Sequence, residues 1–288
     1  MTAVDILMPV YNGAEHLDRA LASLSAQTFR DMRVIISDNA STDATPQIIE
    51  KWKAKDTRIT SFRQPENIGA VPNFKWVLSR AQSPFAMFAC HDDIWSDNYI
   101  GALHEVLSAD PDIKLAAPKM TLIRPDGSED PRDFYMPINK ARGLHRALLS
   151  VLRVQSGWFY GLYRRESLVA TWDTAQRFEY AWGGDYIGLL PLLVAGEVAG
   201  SSEAVYYKLE TPLSAARYKP KTLAEQRVFY RRFLHESLHI LKDANISSLH
   251  KLALMPAIAL YAGRHGWKLR RLVKDTIKNA FDFSYGRK

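Results

Sequence analysis

Through the first 110 positions, short apolar runs alternate with stretches whose apolar residues recur at three-and-four spacing. Residues 3–10 form an apolar run that ends in Pro9-Val10-Tyr11-Asn12-Gly13, a turn sequence, and Leu17, Leu21 and Leu24 then follow at helical spacing. A second strand is predicted over 33–37 from the β-branched Val34-Ile35-Ile36, then a polar loop over 38–43 and a helix over 45–53. Weaker signals predict a strand at 59–62 and a helix around 73–79 after the Pro65–Gly69 turn. A fourth strand at 85–89 runs into His91-Asp92-Asp93, with a helix over 98–108 beyond. Strands alternating with helices predict βαβ units, a mostly parallel sheet and right-handed crossovers with helices on both faces.

The middle of the chain is mixed. A strand is predicted over 115–124, closed by Pro125-Asp126-Gly127, followed by a strand-like aromatic run at 157–164, a buried helix at 186–194 and a strand at 205–209. Helices are predicted over 222–241, 248–261 and 268–281. A soft boundary near Tyr218-Lys219-Pro220 divides an α/β body, 1–218, from a helical extension, 219–288.

Composition and charge narrow the function classes. With 47% hydrophobic and 24% charged residues the chain is neither disordered nor fibrous. The single cysteine, Cys90, excludes an intramolecular disulfide and a cysteine-based zinc cluster, and suits a reducing compartment. Residues 1–5 show no cationic start or apolar run, so no signal peptide is expected. The apolar stretches 186–196 and 252–263 each contain a proline and fall short of the roughly 20 residues a spanning helix needs. On these readings a cytoplasmic location without a transmembrane segment is expected. From Lys219 to Lys288 there are 15 Lys and Arg against 5 Asp and Glu, a surplus of ten; as the whole chain carries +7, the rest carries −3. Such a tail fits either an anionic partner or a solubilising surface. Its last segment has Leu269, Leu272, Val273, Ile277 and Phe281 in one stripe. That stripe suits an interfacial helix at the inner membrane face or a helix packed on the domain. Nucleic-acid binding is not expected, since no finger, ribonucleoprotein or basic-zipper motif accompanies the charge.

Ligands of open parallel sheets bind outside the carboxyl ends of the strands. Three predicted strand ends carry polar side chains there: Asn12, Asp38 and the pair Asp92-Asp93. Asp and Asn at such places also serve as turn formers and helix caps. No Gly-x-Gly-x-x-Gly follows the first strand and no Gly-x-x-x-x-Gly-Lys loop occurs, which argues against a dinucleotide dehydrogenase and a P-loop enzyme. Adjacent carboxylates suit Mg²⁺ or Mn²⁺ held together with substrate phosphates.

The stretches Ile6-Leu7-Met8-Pro9-Val10-Tyr11-Asn12-Gly13, Ala22-Ser23-Leu24 with Gln27-Thr28-Phe29, and Ile35-Ile36-Ser37-Asp38-Asn39-Ala40-Ser41-Thr42-Asp43 resemble the opening of the family 2 inverting glycosyltransferases of the GT-A fold. Glu66-Asn67-Ile68-Gly69 with Asn73, and His91-Asp92-Asp93-Ile94-Trp95, extend the resemblance, which covers about residues 4–215. It implies a nucleotide-sugar-binding half at 1–110 and an acceptor-binding half at 111–218. Pro9, Val10, Tyr11 and Asn12 would line the nucleotide pocket, Asp38 would read the base, most often uracil, and Asn67, Asn73 and Asp93 would belong to the same site. Asp92 matches the last Asp of the family's Asp-x-Asp motif and would hold Mn²⁺ or Mg²⁺ on the donor diphosphate. Asp185, in Gly183-Gly184-Asp185, falls where the family places its general base and is the candidate base, with a helix cap as the alternative.

Four positions depart from the family pattern. Cys90 replaces the first Asp, with His91 in the middle as a ligand contact or a structural histidine. Gly184 stands where Glu is common, Pro72 where a basic residue often precedes the Asn matched by Asn73, and Lys208 where Arg is usual. Lys208, Arg217 and Lys219 are phosphate candidates. Trp158, Tyr180 and Trp182 would stack on acceptor sugars or belong to the core. The reaction implied is transfer of a sugar from a UDP-sugar to a hydroxyl of a glycan or lipid-linked acceptor, as in cell-envelope polysaccharide assembly. The alternatives are a non-catalytic nucleotide-sugar-binding protein on the same fold and a nucleotidyltransferase. The latter lacks its usual basic loop here, since Tyr11–Glu15 carries no Lys or Arg.

Overall fold

The computed structural model describes residues 2–132, 141–210 and 219–266. They fall into two compact units. The first comprises Met1–Ala141, Gln155–Ala170 and Val198–Glu210, and the second Arg142–Val154, Thr171–Glu197 and Thr211–Lys288.

The first unit is built on one mixed sheet. Its strands are β1 (Val4–Val10), β2 (Met32–Asp38), β3 (Ile59–Arg63), β4 (Phe85–Phe88), β5 (Ile94–Trp95), β6 (Leu115–Ile123), β7 (Glu129–Arg132), β8 (Leu162–Arg164) and β9 (Val198–Leu209), in the order β3-β2-β1-β4-β8-β6-β9-β5 with β7 on β6. The first four strands pair in parallel, with Val10 opposite Asp38 and Asp38 opposite Arg63. Antiparallel pairing enters only with β5, β7 and β8, while β6 and β9 run parallel. Every residue of β1 is buried, as expected of a strand covered on both faces. Helices α1 (Leu17–Ser25), α2 (Thr45–Lys55), α3 (Ala70–Leu78) and α4 (Tyr99–Ala109) come after the strands as the apolar spacing predicts. Leu17, Leu21 and Leu24 pack with Ile6, Met8 and Leu103 in the core of this unit.

One charge sits inside that core. Asp5 is fully buried at the start of β1. It accepts hydrogen bonds from Arg33 Nε (2.6 Å) and Nη2 (3.2 Å), from the amides of Gln82 and Ser83, and from the Ser83 hydroxyl. Burial pushes its pKa up, but these donors more than offset it and hold the carboxyl below its ordinary value of 3.8.

The second unit is helical. It contains α5 (Gly143–Arg153), most of α6 (Arg165–Arg177), α7 (Gly184–Ala195), α8 (Leu223–Asp243), α9 (Ser248–Tyr261) and a π-helical turn at Ala262–Gly266. Helix α7 is apolar almost all round and therefore needs cover on several sides, which α5 and α8 supply. The expected 1–218 body and 219–288 extension divide the chain differently from these units, because α5 and α7 group with the helices beyond residue 219.

The aromatic run 157–164 is not a single strand. Residues Ser156–Tyr160 form a 3₁₀ turn and only Leu162–Arg164 joins the sheet. The backbone at Gly161 lies so close to β6 that a Cβ there would sit 2.4 Å from the Ala116 carbonyl oxygen. The segment 268–281 and Arg217 lie outside the described residues. Among the described residues, no helix is long and apolar enough to cross a membrane.

Replacing Asp5 by Asn removes the charge that Arg33 and the Gln82–Ser83 amides are arranged around, and should cost about 2–3 kcal/mol of stability near neutral pH. Because the folded pKa lies below the unfolded one, this contribution is complete above the unfolded value and is lost as pH falls through the folded value. Denaturant unfolding of wild type and Asp5→Asn should therefore show a gap at neutral pH that narrows in acid.

Candidate functional site

Three loops leave the carboxyl ends of β1, β2 and β4, and side chains of the second fasten the first. Asn12 and Ala40 have φ of 48° and 58°, the left-handed region that costs a residue with a Cβ steric energy. What holds Asn12–Ala14 there is a set of side chains from the β2 loop. The Asn12 amide donates to Ser41 Oγ (2.9 Å), the Gly13 amide to Thr45 Oγ1 (2.8 Å) and the Ala14 amide to Asp43 Oδ2 (3.1 Å). Asn12 Oδ1 returns the bond by accepting from the Thr42 amide at 2.8 Å. Tyr11, by contrast, is 42% exposed beside these buried links.

Asp38 is buried at the end of β2. One oxygen accepts from the Ser41 amide (3.0 Å) and the other from Arg63 Nη1 (2.8 Å), whose second nitrogen reaches the Ser41 carbonyl. Arg63 remains half exposed and shares the mouth of this loop. Asn39 ties the next turn in. Its oxygen accepts from the Ile68 amide, and its nitrogen donates to Asn67 Oδ1 and the Gly69 carbonyl. Asn73 is buried with both amide atoms bonded to Ser37, which anchors α3 to β2.

The loop after β4 separates its two carboxylates. Asp93 is buried, accepting from the Tyr206 hydroxyl through a short bond and from the Leu209 amide at 3.3 Å. Burial, and then the charge of Asp92, push Asp93 up to about 7. Burial also pushes the Cys90 thiol well above its ordinary range, with Asp93 and Asp92 adding to it, so Cys90 is a neutral thiol. The His91 ring lies on Gly13, where a Cβ would come within 2.6 Å of it, and burial lowers the ring's pKa while Asp92 pulls the other way. Cys90 Sγ and carboxylate oxygens of Asp92 and Asp93 lie within 4.8 Å of one another. With the thiol neutral and Asp93 engaged by Tyr206, Asp92 is the carboxylate best placed to meet a cation. That donor set fits a hard divalent ion that takes most of its oxygens from phosphates and water. Tyr206 stacks on Tyr160 at 5.4 Å, with Lys208 Nζ 6.0 Å from the same ring.

In the second unit, Asp185 is the second residue of α7, after Gly183 in the left-handed conformation (φ 83°). Its Oδ1 accepts from the Tyr186 amide at 2.9 Å, and the helix N-terminus favours its negative charge. Tyr180 packs on Phe229 (ring centroids 5.0 Å), and Lys219 lies over Trp182 at 5.7 Å. Trp158, in the first unit, is fully buried, so of the two readings the sequence allowed it takes the core one: aromatic bulk between Gly157 and Gly161 fills the core.

Val10, Asn12, Asp38 and Asn67 are thus joined through Asn39 and Ser41 by one hydrogen-bonded set, with Pro9 and Tyr11 beside it in the chain, and His91 touches it through Gly13. Asn73 lies buried against Ser37, and Asp93 faces Tyr206. Sequence reasoning missed Arg63 and Tyr206. Arg63 was within reach, because parallel register sets the last residue of β3 opposite Asp38; Tyr206, 113 positions from Asp93, has no local signal.

Comparison with known proteins identifies the family and the fold. The model of the family described as glycosyl transferase family 2 matches residues 5–168, more than half of the chain. The protein Rv1520 of Mycobacterium tuberculosis is 32% identical over 198 residues, 64% of this chain and 55% of its own length. The chain thus spans about half the length of the curated relatives it matches. The crystal structure of S. aureus TarS 1–349 in complex with UDP-GlcNAc superposes with a TM-score of 0.67 at 17% identity, covering 92% of this chain and 73% of that one. The mannosyltransferase PcManGT from Pyrobaculum calidifontis, in complex with GDP-Man and Mn²⁺, gives 0.53 at 16% identity, covering 97% and 81%. The fold is that of the GT-A glycosyltransferases, and the chain belongs to glycosyl transferase family 2.

Proposed function

We propose that the chain transfers a sugar, with inversion, from a nucleotide-diphosphate donor, UDP-linked in the first instance, to a hydroxyl of a glycan or lipid-linked acceptor at the cytoplasmic membrane face. The observation that carries this reading is the cross-bonded set of loops at the ends of β1, β2 and β4, with an open carboxylate, Asp92, beside it. The UDP-GlcNAc and GDP-Man complexes of the structural neighbours support a nucleotide-sugar ligand, and TarS favours UDP.

In this reading Pro9, Val10, Tyr11 and Asn12 line the nucleotide pocket. Asp38 faces the base together with the half-exposed Arg63 it holds. Asn67 and Asn73 support the wall through Asn39 and Ser37. Asp92 would hold Mn²⁺ or Mg²⁺, and a bound metal would neutralise charge on the leaving diphosphate. His91 closes over Gly13, and Asp93 fixes the loop on β9. Asp185 acts as general base: its carboxylate takes the acceptor hydroxyl proton as that oxygen bonds to the anomeric carbon. The bond from the anomeric carbon to the diphosphate breaks on the opposite side, and its electron pair leaves with the nucleotide. One displacement gives inversion, so a single catalytic carboxylate suffices.

Asp185→Asn keeps the shape and removes the base. Turnover of the sugar nucleotide should fall at least about 100-fold while donor affinity is retained; unchanged turnover in this variant would remove Asp185 from the mechanism.

A second prediction concerns the metal. Titrating UDP, GDP, dTDP and CMP with and without Mn²⁺ should give a metal-dependent rise in melting temperature for one diphosphate, equivalent to about 2.7 kcal/mol at 100 times Kd. Asp92→Ala should lose the metal-dependent part. Nucleotide binding with no donor hydrolysis or transfer in the wild type would favour the non-catalytic reading.

A further inference from the structure

Helix α9 is apolar on every side. Leu254, Ala257, Ile258 and Tyr261 are buried within its own unit, while Leu249, Leu252, Met255 and Leu260 are 73%, 66%, 49% and 65% exposed. No charged residue occurs from Leu252 to Gly263. A helix apolar all round needs apolar cover on both faces, and the described residues cover one. Its surroundings are cationic. Arg231, Arg232 and Lys242 are exposed on α8, which packs beside α9, and Lys251 sends its ammonium to the Lys242 carbonyl. Residues 219–266 hold 8 Lys and Arg against 3 Asp and Glu. Two of those acids are engaged, Glu225 by the amides that open α8 and Asp243 by His239 at 3.2 Å. Residues 267–288 add seven cations to two acids.

We propose that the exposed face of α9 docks on an anionic lipid bilayer, with Leu249, Leu252, Met255 and Leu260 entering the boundary between headgroups and acyl chains and the α8 cations meeting the headgroups. Interfacial helices bind in this way, by apolar burial together with attraction to anionic lipid. The charge argues against a second copy of the chain as the occupant, since a two-fold interface would bring these cations against their equivalents. The size argues the same way: a helix about 21 Å long and 10 Å wide offers roughly 200 Å², far below the roughly 800 Å² per partner of a stable dimer. With 14 residues and Pro256 inside, α9 lies on a membrane rather than crossing it.

The test is co-sedimentation of the full chain with phosphatidylcholine vesicles, with and without about 30% phosphatidylglycerol, at low salt and at about 0.5 M salt. Wild type should pellet with the anionic vesicles, remain largely free with the neutral ones and be released by salt. Leu249→Glu with Leu252→Glu should lower partition at least about tenfold without changing the melting temperature or the nucleotide-induced shift. Arg231→Glu with Arg232→Glu provides an independent pair if the first fails to fold, and should weaken binding to anionic vesicles alone. Three results would overturn the proposal: wild type that ignores anionic vesicles, binding unaffected by either pair, or a wild-type dimer in sedimentation equilibrium that the leucine pair converts to monomer. Vesicle binding is read without turnover, so it stands or falls separately from sugar transfer.

Discussion

The ends of parallel strands leave backbone amides with nothing to pair to, and this chain's candidate site is built around meeting that constraint. Beyond Val10, the strand no longer has a neighbour for Asn12, Gly13 and Ala14. Their amides are satisfied instead by Ser41, Thr45 and Asp43, side chains that leave β2 one crossover later. Burying such donors unpaired would cost about 1–3 kcal/mol each, so the two loops hold one another in place. The strained conformations at Asn12 and Ala40 are kept by the same bonds. A rigid wall with exposed Tyr11 at its lip results from satisfying backbone groups, before any ligand is considered.

The two adjacent carboxylates show how environment divides roles between like residues. Asp93 lies against Tyr206 and Leu209, and its burial disfavours the charged form. It fastens the loop to β9. Asp92, one position earlier, is partly open, and in the proposed function it is the carboxylate that would meet a cation. The neighbouring thiol of Cys90 is driven neutral by the same burial and by both carboxylates. Cys90 stands where the resemblance puts the family's first Asp, and as a neutral thiol it offers no hard oxygen to a cation. It also spares the buried loop a third negative charge.

Much of the first unit was legible because its signals are local. Alternation of apolar runs with helical spacing gives β1 to β4 and α1 to α4 within a few residues, and β2, read from three β-branched residues, needed only its ends extended. The polar strand ends were legible for the same reason. Contacts that depend on distant segments were not. Tyr206 reaches Asp93 across more than a hundred positions, and the 157–164 run reads as a strand until the close approach of Gly161 to β6 is known. Helices α5 and α6 had no reading of their own, and Trp158 gave the same aromatic signal as a sugar platform while serving the core. Where the hydrophobic pattern is ambiguous, tertiary packing decides.

The second unit carries this dependence furthest. The turn that opens α7 and presents Asp185 is held from the C-terminal side. The Tyr261 hydroxyl donates to the Tyr186 carbonyl at 2.6 Å, and the His265 ring stacks on Tyr186 with centroids 4.0 Å apart. Burial, with the nearby Arg264 charge, lowers His265 to about 3, so the ring is neutral at physiological pH and stacks without a charge to desolvate. Arg264 itself is tied to the Leu152 carbonyl at the end of α5. A π-helical turn takes in an extra residue and shifts the direction of its side chains, and here it delivers His265 to Tyr186. The helices after residue 219 are thus part of the unit that sets the conformation of Asp185, rather than an appendage. Their inner aromatic face is consumed by that task, which is why the outer apolar face of α9 calls for a separate explanation.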